Sequence, residues 1–318
     1  MSARGKLDVH AHYLPERYRQ VLEAAGHGQP DGMPQLPTWT AEEHVAAMDR
    51  LGITTSLLSI SSPGVHVSDE VAASDLAREV NEAGRRAVVD HPRRFGLLGS
   101  LPLPDVDAAL AEIAHCVDRL DVDGFVLRTN VGGTYLGDPV WEPVVAELAR
   151  RRAPVLIHPT SPACWEHTSL GRPRPMLEFL FDTTRAVVNL VLSGTVARHP
   201  DLELIVPHAG ATLPVIADRV AGFAMVLDVD PAADVLRDLG RLHFDLAGFP
   251  VPRQLDALLA ITTLEHLHYG SDYPFTPEVV AAMASERLEA AGDPPGALVH
   301  ELRANTARLF ARLGADER

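Results

Sequence analysis

Short hydrophobic runs rich in β-branched residues alternate along the chain with longer segments whose apolar residues recur at helical spacing. This alternation is typical of βα units around a parallel sheet. It predicts eight strands, at residues 6–10, 53–60, 95–100, 123–128, 154–158, 202–208, 242–246 and 266–271. Eight βα units in a chain of 318 residues predict an α/β fold of the TIM (β/α)8 barrel type.

Amphipathic helices are predicted between the strands, for instance Asp69 to Asp90 and Asp138 to Arg152, where Asp138 is a candidate N-cap. Two loops interrupt the rhythm: residues 26–40 are rich in glycine and proline, and residues 159–176 follow the fifth strand. Long loops of this kind usually shape the substrate pocket of a barrel, although the second is equally compatible with a packing or dimer contact. No proline- or glycine-rich linker divides the chain, so we expect residues 1–318 to form one domain.

The composition narrows the classes of function. A formal net charge of −15 argues against nucleic acid or an anionic membrane surface as the main partner. The sequence contains no apolar run of 18 residues, and the first histidine motif begins at residue 10, which leaves no room for a signal peptide. Two cysteines, Cys116 and Cys164, provide no disulfide framework and fit a reducing compartment. We therefore expect a soluble cytoplasmic protein.

Four side chains that bind metals lie where predicted strands end: His10 and His12 in the first, His158 in the fifth, and Asp272 after the eighth. Histidines at i and i+2 on a strand point to the same face, and barrel active sites are built at the strands' C-terminal ends. Imidazoles suit zinc and its first-row neighbours, and a carboxylate adds a hard oxygen. The pattern predicts one mononuclear metal site. Lys6, the only lysine, precedes the first strand, so Schiff-base chemistry and a lysine-bridged metal pair are not expected.

His208 ends the sixth predicted strand and is followed by the small residues 209–211. It could be a fifth ligand, a general acid/base, or a core histidine bonded to the backbone. We prefer the acid/base role, because four other ligands already satisfy zinc and small neighbours let a substrate approach. His268 should be structural. The remaining histidines on helices and turns are predicted to be solvated, namely His44, His91, His115, His199 and His300.

Several motifs together resemble the amidohydrolase superfamily, specifically its branch of aminocarboxymuconate-semialdehyde, 6-methylsalicylate and γ-resorcylate decarboxylases. The segments that carry the resemblance are Asp8-Val9-His10-Ala11-His12-Tyr13-Leu14-Pro15, Tyr135-Leu136-Gly137-Asp138-Pro139, Ile157-His158-Pro159-Thr160, Pro207-His208-Ala209-Gly210-Ala211-Thr212-Leu213-Pro214 and Gly270-Ser271-Asp272-Tyr273-Pro274. The segments Pro175-Met176-Leu177-Glu178-Phe179 and Thr184-Arg185-Ala186 are most similar to the 6-methylsalicylate type. The resemblance runs nearly from end to end.

The resemblance implies a distorted TIM barrel that forms a homodimer and binds one divalent metal, Zn²⁺ or Mn²⁺. Resorcylate-type members with Glu-x-His favour manganese, so His10 favours zinc. It also implies that Arg219, on the helix after the sixth strand, reaches the substrate of the neighbouring subunit; a surface arginine is the alternative. The aminocarboxymuconate enzyme carries a substrate-binding arginine in its first long loop, whereas residues 26–39 contain none, so a muconate substrate is not expected.

The first functional hypothesis is non-oxidative decarboxylation of a salicylate-like aromatic acid. Asp272 is the candidate proton donor to the ring carbon, with His208 supporting it or supplying the proton itself. The second is a hydrolase, lactonase or hydratase that activates water with the same ligands, and the third is a non-catalytic protein with a closed metal site. Tyr13 and Trp165, with Tyr273 and Phe275, are candidates to line a pocket for the ring.

Overall fold

The computed structural model describes residues 5–68, 71–227 and 229–314. Its centre is a ring of eight parallel strands in sequential order. The first and last strands close the ring, because Asp8 forms a parallel bridge with Tyr269 and the amide of Val9 donates to the Tyr269 carbonyl at 3.0 Å. The TIM barrel predicted from the hydrophobic pattern is therefore confirmed.

All eight predicted strands are present, and the last three are shortened the most relative to the prediction. Their C-terminal ends meet at one end of the barrel, as parallel strands require. The strands are β1 Lys6–His12, β2 Ile53–Ser59, β3 Phe95–Ser100, β4 Gly124–Arg128, β5 Val155–His158, β6 Leu204–Val206, β7 His243–Asp245 and β8 Leu267–His268. A two-stranded antiparallel ribbon, Asn130–Val131 with Thr134–Tyr135, follows β4.

Helices cover the outside of the barrel and extend its loops. They are α1 Glu16–Ala24, α2 Ala41–Leu51, α3 Ala73–Asp90, α4 Val106–His115, α5 Glu142–Arg151, α6 Trp165–Thr168, α7 Glu178–Leu192, α8 Thr195–Arg198, α9 Leu213–Ala224, α10 Val235–Gly240, α11 Gln254–Leu259, α12 Glu278–Ala291, α13 Ala297–Leu309 and α14 Ala311–Gly314. None of the helices in the described residues combines the length and the apolar character needed to cross a membrane.

The two helices predicted from their sequence patterns are present. The predicted start at Asp69 lies outside the described residues, and α3 itself begins at Ala73. Asp138 caps as expected, since its side chain accepts a hydrogen bond from the Val140 amide at 3.0 Å. It caps a 3-10 turn, Pro139–Trp141, which leads directly into α5.

One apolar layer fills the barrel below the C-terminal ends of the strands. Val9, Leu57, Leu98, Val126, Leu156 and Ile205 pack together, one from each of the first six strands, and Phe310 joins them. Leu156 stands two residues before His158 on the same strand, so this layer lies below the strand ends. The layer gives the side chains above it a rigid base.

The prediction that His44 is solvated is wrong. Its side chain is buried on α2, and its Nδ1 accepts a hydrogen bond from the Trp39 indole at 2.9 Å. Among the other four histidines predicted to be solvated, only His300 is exposed, and the rest are partly buried. The structural role predicted for His268 is confirmed, because its ring is buried and bonds to His243 and Thr306.

Candidate metal centre and active-site cavity

Four predicted side chains converge at the C-terminal end of the barrel: one ligand atom from each of His10, His12, His158 and Asp272 lies within 4.8 Å of the others. His12 Nε2 is 3.2 Å from His158 Nε2 and 3.1 Å from Asp272 Oδ1. His10 Nε2 is 3.5 Å from the same carboxylate oxygen. The structure thus brings the four residues of the predicted metal site together.

Each imidazole is oriented by a partner on its other nitrogen. His10 Nδ1 bonds to Asp245 Oδ2 at 2.8 Å, and His158 Nδ1 bonds to the carbonyl of the next residue at 2.7 Å. His12 Nδ1 lies within hydrogen-bond distance of Ser59, from both its carbonyl and its hydroxyl. An acceptor at Nδ1 keeps the proton there and leaves the Nε2 lone pair free for a metal.

The buried Nε2 of His10 has no hydrogen-bond partner. A buried polar atom without a partner is costly, and an ion between the four side chains would satisfy it. Three imidazoles and one carboxylate form a donor set that first-row divalent metals favour. The residues present therefore fit a single divalent ion, and no second group of this kind occurs within the described ranges.

The charges of the four donor side chains are strongly coupled. Burial lowers the pKa of His12 to about 4 and that of His158 well below its usual value. Burial also opposes a charge on His10, but the carboxylates of Asp245 and Asp272 outweigh it and raise its pKa to about 9. Burial favours the neutral form of Asp272, yet the hydrogen bond with His12 and the charge on His10 hold its pKa below the usual range. Asp272 is therefore a carboxylate.

The backbone around Asp272 fixes the position of its side chain. Asp272 adopts a left-handed conformation with φ 57°, which is rare outside glycine and is retained here at the centre of the site. Its amide donates to the His10 carbonyl at 2.7 Å, so β1 and the segment after β8 are tied together. Thr276 donates its hydroxyl to Asp272 Oδ2 at 2.9 Å. The other oxygen, Oδ1, faces the histidines.

His208 lies beside the four donors but is not one of them. Its ring centroid is 5.2 Å from that of His10, and it also lines the cavity. Its amide donates to Asp245 Oδ1 at 3.0 Å, so the same carboxylate holds both His10 and His208. Burial lowers the pKa of His208, which keeps the imidazole neutral. This placement supports the preferred acid/base interpretation over ligation.

A strained turn presents His208 to the cavity. Four consecutive residues, 208–211, have positive φ, and three of them are not glycine. Gln254 at the start of α11 stabilises the turn, because its Nε2 donates to the carbonyls of His208, Ala209 and Ala211 at 2.8, 3.2 and 2.8 Å. Strain of this kind persists only where surrounding contacts hold it.

A cavity of about 630 Å³ opens over the site, with Ser61, His158, His208, Asp272 and Thr276 among its lining residues. Most of the remaining wall is apolar and includes Met33, Pro175, Met176, Phe179, Phe249 and Phe275. No lysine or arginine of the described chain lines it. Residues from both long loops take part, so the prediction that these loops shape the pocket is confirmed for this cavity.

Three residues predicted to bind substrate lie elsewhere. Tyr13 does not line the cavity: it is fully buried, packs against Trp39, and its hydroxyl donates to the Val80 carbonyl at 2.8 Å. Trp165 stacks with Arg174 at 4.1 Å and does not line the cavity either. Arg219 is exposed on α9, over the ring of Phe223 at 5.0 Å.

The other two candidates for the ring pocket, Phe275 and Tyr273, lie in different places. Phe275 lines the cavity, with its ring edge-on to His12 at 5.4 Å. Tyr273 packs against His44 at 4.8 Å and does not line the cavity. Only Phe275 of the four aromatic candidates therefore faces the space where a substrate ring would bind.

Sequence reasoning missed four polar residues that build the site: Asp8, Asp31, Asp245 and Gln254. Asp245 ends β7, and the strand-end rule that identified Asp272 would also have found it. Asp8 accepts hydrogen bonds from the amides of His10 and Ser271, both at 3.0 Å, and burial raises its pKa to about 6. Asp31 and Gln254 carry no local signal, because their roles depend on the tertiary fold.

The sequence matches the Amidohydrolase family over residues 7–312. The chain belongs to the amidohydrolase family. This amidohydrolase is 36% identical to 6-methylsalicylic acid decarboxylase of Aspergillus aculeatus, over 97% of this chain and 96% of the relative. The similarity to 6-methylsalicylate decarboxylases inferred from the motifs is thus confirmed.

Two solved structures place this amidohydrolase among known folds. A crystal structure described as an amidohydrolase II superposes with a TM-score of 0.90 at 34% identity, covering 96% of this chain and 99% of that one. The 5-carboxyvanillate decarboxylase of Novosphingobium aromaticivorans, complexed with manganese and 4-hydroxy-3-methoxy-5-nitrobenzoic acid, superposes with a TM-score of 0.84 at 20% identity, covering 97% of each chain. At that identity the second likeness shows the shared fold alone.

Proposed function

We propose that this protein is a metal-dependent carboxy-lyase that removes CO2, without oxidation, from a salicylate-like acid, that is an aromatic carboxylate with an ortho hydroxyl group. One observation carries the proposal: four metal-donor atoms within 4.8 Å border an apolar cavity. A structural site is normally closed by its ligands, whereas His158 and Asp272 face this cavity. The named activity of the Aspergillus aculeatus relative supports the reaction class.

His10, His12, His158 and Asp272 would hold the ion, which would supply Lewis-acid chemistry to a bound aromatic acid. Because no lysine or arginine of the described chain lines the cavity, the ion is the one cation that this chain itself would bring to the substrate's negative charge. The rings of Phe179, Phe249 and Phe275 provide apolar surface for an aromatic ring. Within one chain, substrate binding should therefore depend on the metal ion for charge and on the apolar cavity walls for shape.

The proton chemistry follows from the charges of the two groups that face the substrate. Asp272 is a carboxylate, so it can accept the proton of the ortho hydroxyl and deliver it to the ring carbon that bears the carboxyl group. The bond between the ring carbon and the carboxyl carbon then breaks, and CO2 leaves. The electron pair of that bond moves through the ring to the ortho oxygen. His208, neutral and beside the cavity, passes a proton from solvent to that oxygen. The balance is one proton consumed and one CO2 released.

We further propose zinc as the resident metal, because three imidazoles and one carboxylate suit it well. Manganese is the first alternative, because the structure of the 5-carboxyvanillate decarboxylase contains it. Metal analysis of the purified protein tests this directly. A cytoplasmic location remains part of the proposal on the basis of the sequence alone.

A homodimer in which Arg219 acts across the interface is also proposed. The face of α9 and the segment after it expose apolar side chains that a monomer leaves in water, including Val215 at 80%, Phe223 at 51% and Met225 at 86% exposure. Arg219 lies on this helix and outside its own chain's cavity. Mixing inactive Arg219→Ala and His208→Gln proteins should restore part of the activity if the arginine acts in trans. No recovery in hybrids shown to be dimeric would contradict this arrangement.

The reaction class is tested by a substrate panel. Metal-loaded protein is incubated with salicylate, 6-methylsalicylate and dihydroxybenzoates on one side, and with aromatic and aliphatic lactones on the other. CO2 release from the ortho-hydroxy acids, with no acid formed from lactones, is expected. Lactone hydrolysis without CO2 release would replace the decarboxylase by the hydrolase, which the same donor set can also support.

A further inference from the structure

We infer that Asp31 is a specificity-determining residue of the cavity: it admits aromatic monocarboxylates and disfavours acids that carry a second carboxylate on the ring. The inference rests on the proposed function, because it assumes that one carboxylate of the substrate is held at the four metal donors. Asp31 would act on the part of the substrate ring that lies away from the metal donors.

Asp31 is held in place on the first long loop. It lies in the turn Pro30–Gly32 with φ 52°, is half-buried, and lines the cavity. Its Oδ1 accepts a hydrogen bond from the hydroxyl of Ser161, which in turn accepts one from Arg174 Nε at 3.0 Å. Arg174 stacks on Trp165 at 4.1 Å. The loops at residues 26–40 and 159–176 are therefore joined through this carboxylate.

The other oxygen of Asp31 remains available to a ligand. Oδ2 accepts no hydrogen bond within the described part of the chain. Apart from Asp31, the ionisable side chains that line the cavity are His158, His208 and Asp272, all at the metal centre. Asp31 is thus the one formal charge in the described wall outside that centre. A hydroxyl or amino substituent of the ring can donate a hydrogen bond to Oδ2. A second carboxylate has no hydrogen to donate and would face the like charge of Asp31.

Two guanidinium groups determine the positive charge that this carboxylate offsets. Arg128 and Arg174 are both attracted by Asp31, and neither lines the cavity. Arg128 is buried, donates to the Ile60 carbonyl, and leaves Nη1 without a partner. The Asp31 carboxylate therefore opposes the positive field of two arginines at the cavity wall. Replacing it by asparagine removes the repulsion and leaves that field unopposed, and both effects favour a dianion.

The test compares the affinities of two acids by calorimetry on metal-loaded protein. The probes are salicylate and 4-hydroxyisophthalate, which adds a second carboxylate to the same ring. Asp31→Asn should lower the ratio of the two dissociation constants, dicarboxylate over monocarboxylate, by roughly tenfold or more, as expected for one like charge removed at close range in a partly buried site. Asp107→Asn makes the same charge change on an exposed helical position and should leave the ratio unchanged.

A second measurement needs no variant. Raising the ionic strength should lower the same ratio in the wild-type protein, because salt screens a partly exposed charge. A ratio that is equal in wild type and Asp31→Asn overturns the inference, and so does a ratio that salt does not change. Acids that bind with the expected discrimination but release no CO2 contradict the proposed function alone. Failure of both acids to bind contradicts both.

Discussion

Replacing Asp245 by asparagine tests how the metal site is held. Asp245 Oδ2 accepts from His10 Nδ1 at 2.8 Å, while Oδ1 accepts the amides of His208 and Ala247, both at 3.0 Å. Asparagine can keep its oxygen on the two amides, but it then presents an NH2 group to His10 Nδ1. The imidazole proton must move to Nε2, the nitrogen that faces the metal position.

The expected loss can be estimated from the contact that is removed. A hydrogen bond to a charged group contributes about 1.5–3 kcal/mol, which corresponds to a loss of roughly 10- to 100-fold in metal affinity. Loss of such an orienting partner typically lowers the metal affinity of a site by a similar factor. The assay is competition for Zn²⁺ against a chelating dye at neutral pH, with metal content measured in parallel.

The control is Asp238→Asn, since Asp238 is also fully buried but bonds to Arg237 and the Asp234 amide on α10. It should lower stability and leave metal affinity unchanged. An Asp245→Asn protein that binds zinc within about threefold of wild type would refute the account of how His10 is oriented. An equal loss in Asp238→Asn would assign the effect to general destabilisation.

Three further outcomes are expected. His208→Gln should retain its metal but lose roughly 10²-fold or more in kcat for CO2 release, as for a missing acid/base group, and full activity would remove His208 from the scheme. Gln254→Leu removes three hydrogen bonds from the 208–211 turn; it should lower stability by about 1–3 kcal/mol and lower kcat more than KM, and unchanged urea unfolding and turnover would contradict that role. Burial lowers the pKa of His44 to about 3 from 6.5, so its contribution to stability is lost as pH falls below 6.5, by up to about 1.4 kcal/mol per unit. His44→Phe should flatten that slope in unfolding measured between pH 7 and 5, and an unchanged slope would contradict this.

The parts of the fold that follow from local pattern were predictable. Each barrel strand is a short apolar run, and the four metal donors stand at strand ends, where parallel strands bring distant residues together. Residues 6–10 and 266–271 are far apart in sequence, yet the bond between the Val9 amide and the Tyr269 carbonyl makes them neighbours. Strand order alone was sufficient to place His10 beside Asp272.

The residues that were misplaced or missed depend on packing. Tyr13 follows His12 directly, and because successive strand side chains alternate in direction, it points away from the cavity and into the core. His44 carries the charged neighbours Glu42 and Glu43, but the face it occupies on α2 is set by contacts with Trp39 and Tyr273. Which face of a helix is buried cannot be predicted from sequence without knowing which elements pack against it.

Neither Trp165 nor Gln254 could be assigned from sequence. Trp165 stacks with Arg174, which donates to Ser161, the hydrogen-bond partner of Asp31. Gln254 acts through three backbone carbonyls some forty residues before it. Side chains that support others in this way show no spacing or motif, since their partners are set by loop conformation.

The central claim is that one metal ion, held by three histidines and Asp272 at an apolar cavity, is required to remove CO2 from an ortho-hydroxy aromatic acid. Its most direct test is to strip the protein of metal, add Zn²⁺ or Mn²⁺ in measured amounts, and record CO2 release from 6-methylsalicylate and salicylate. Activity should be absent in the stripped protein, rise in proportion to added metal, and reach its maximum at one ion per chain. Equal activity in stripped protein, or a filled site that releases no CO2 from any ortho-hydroxy acid, would contradict the account.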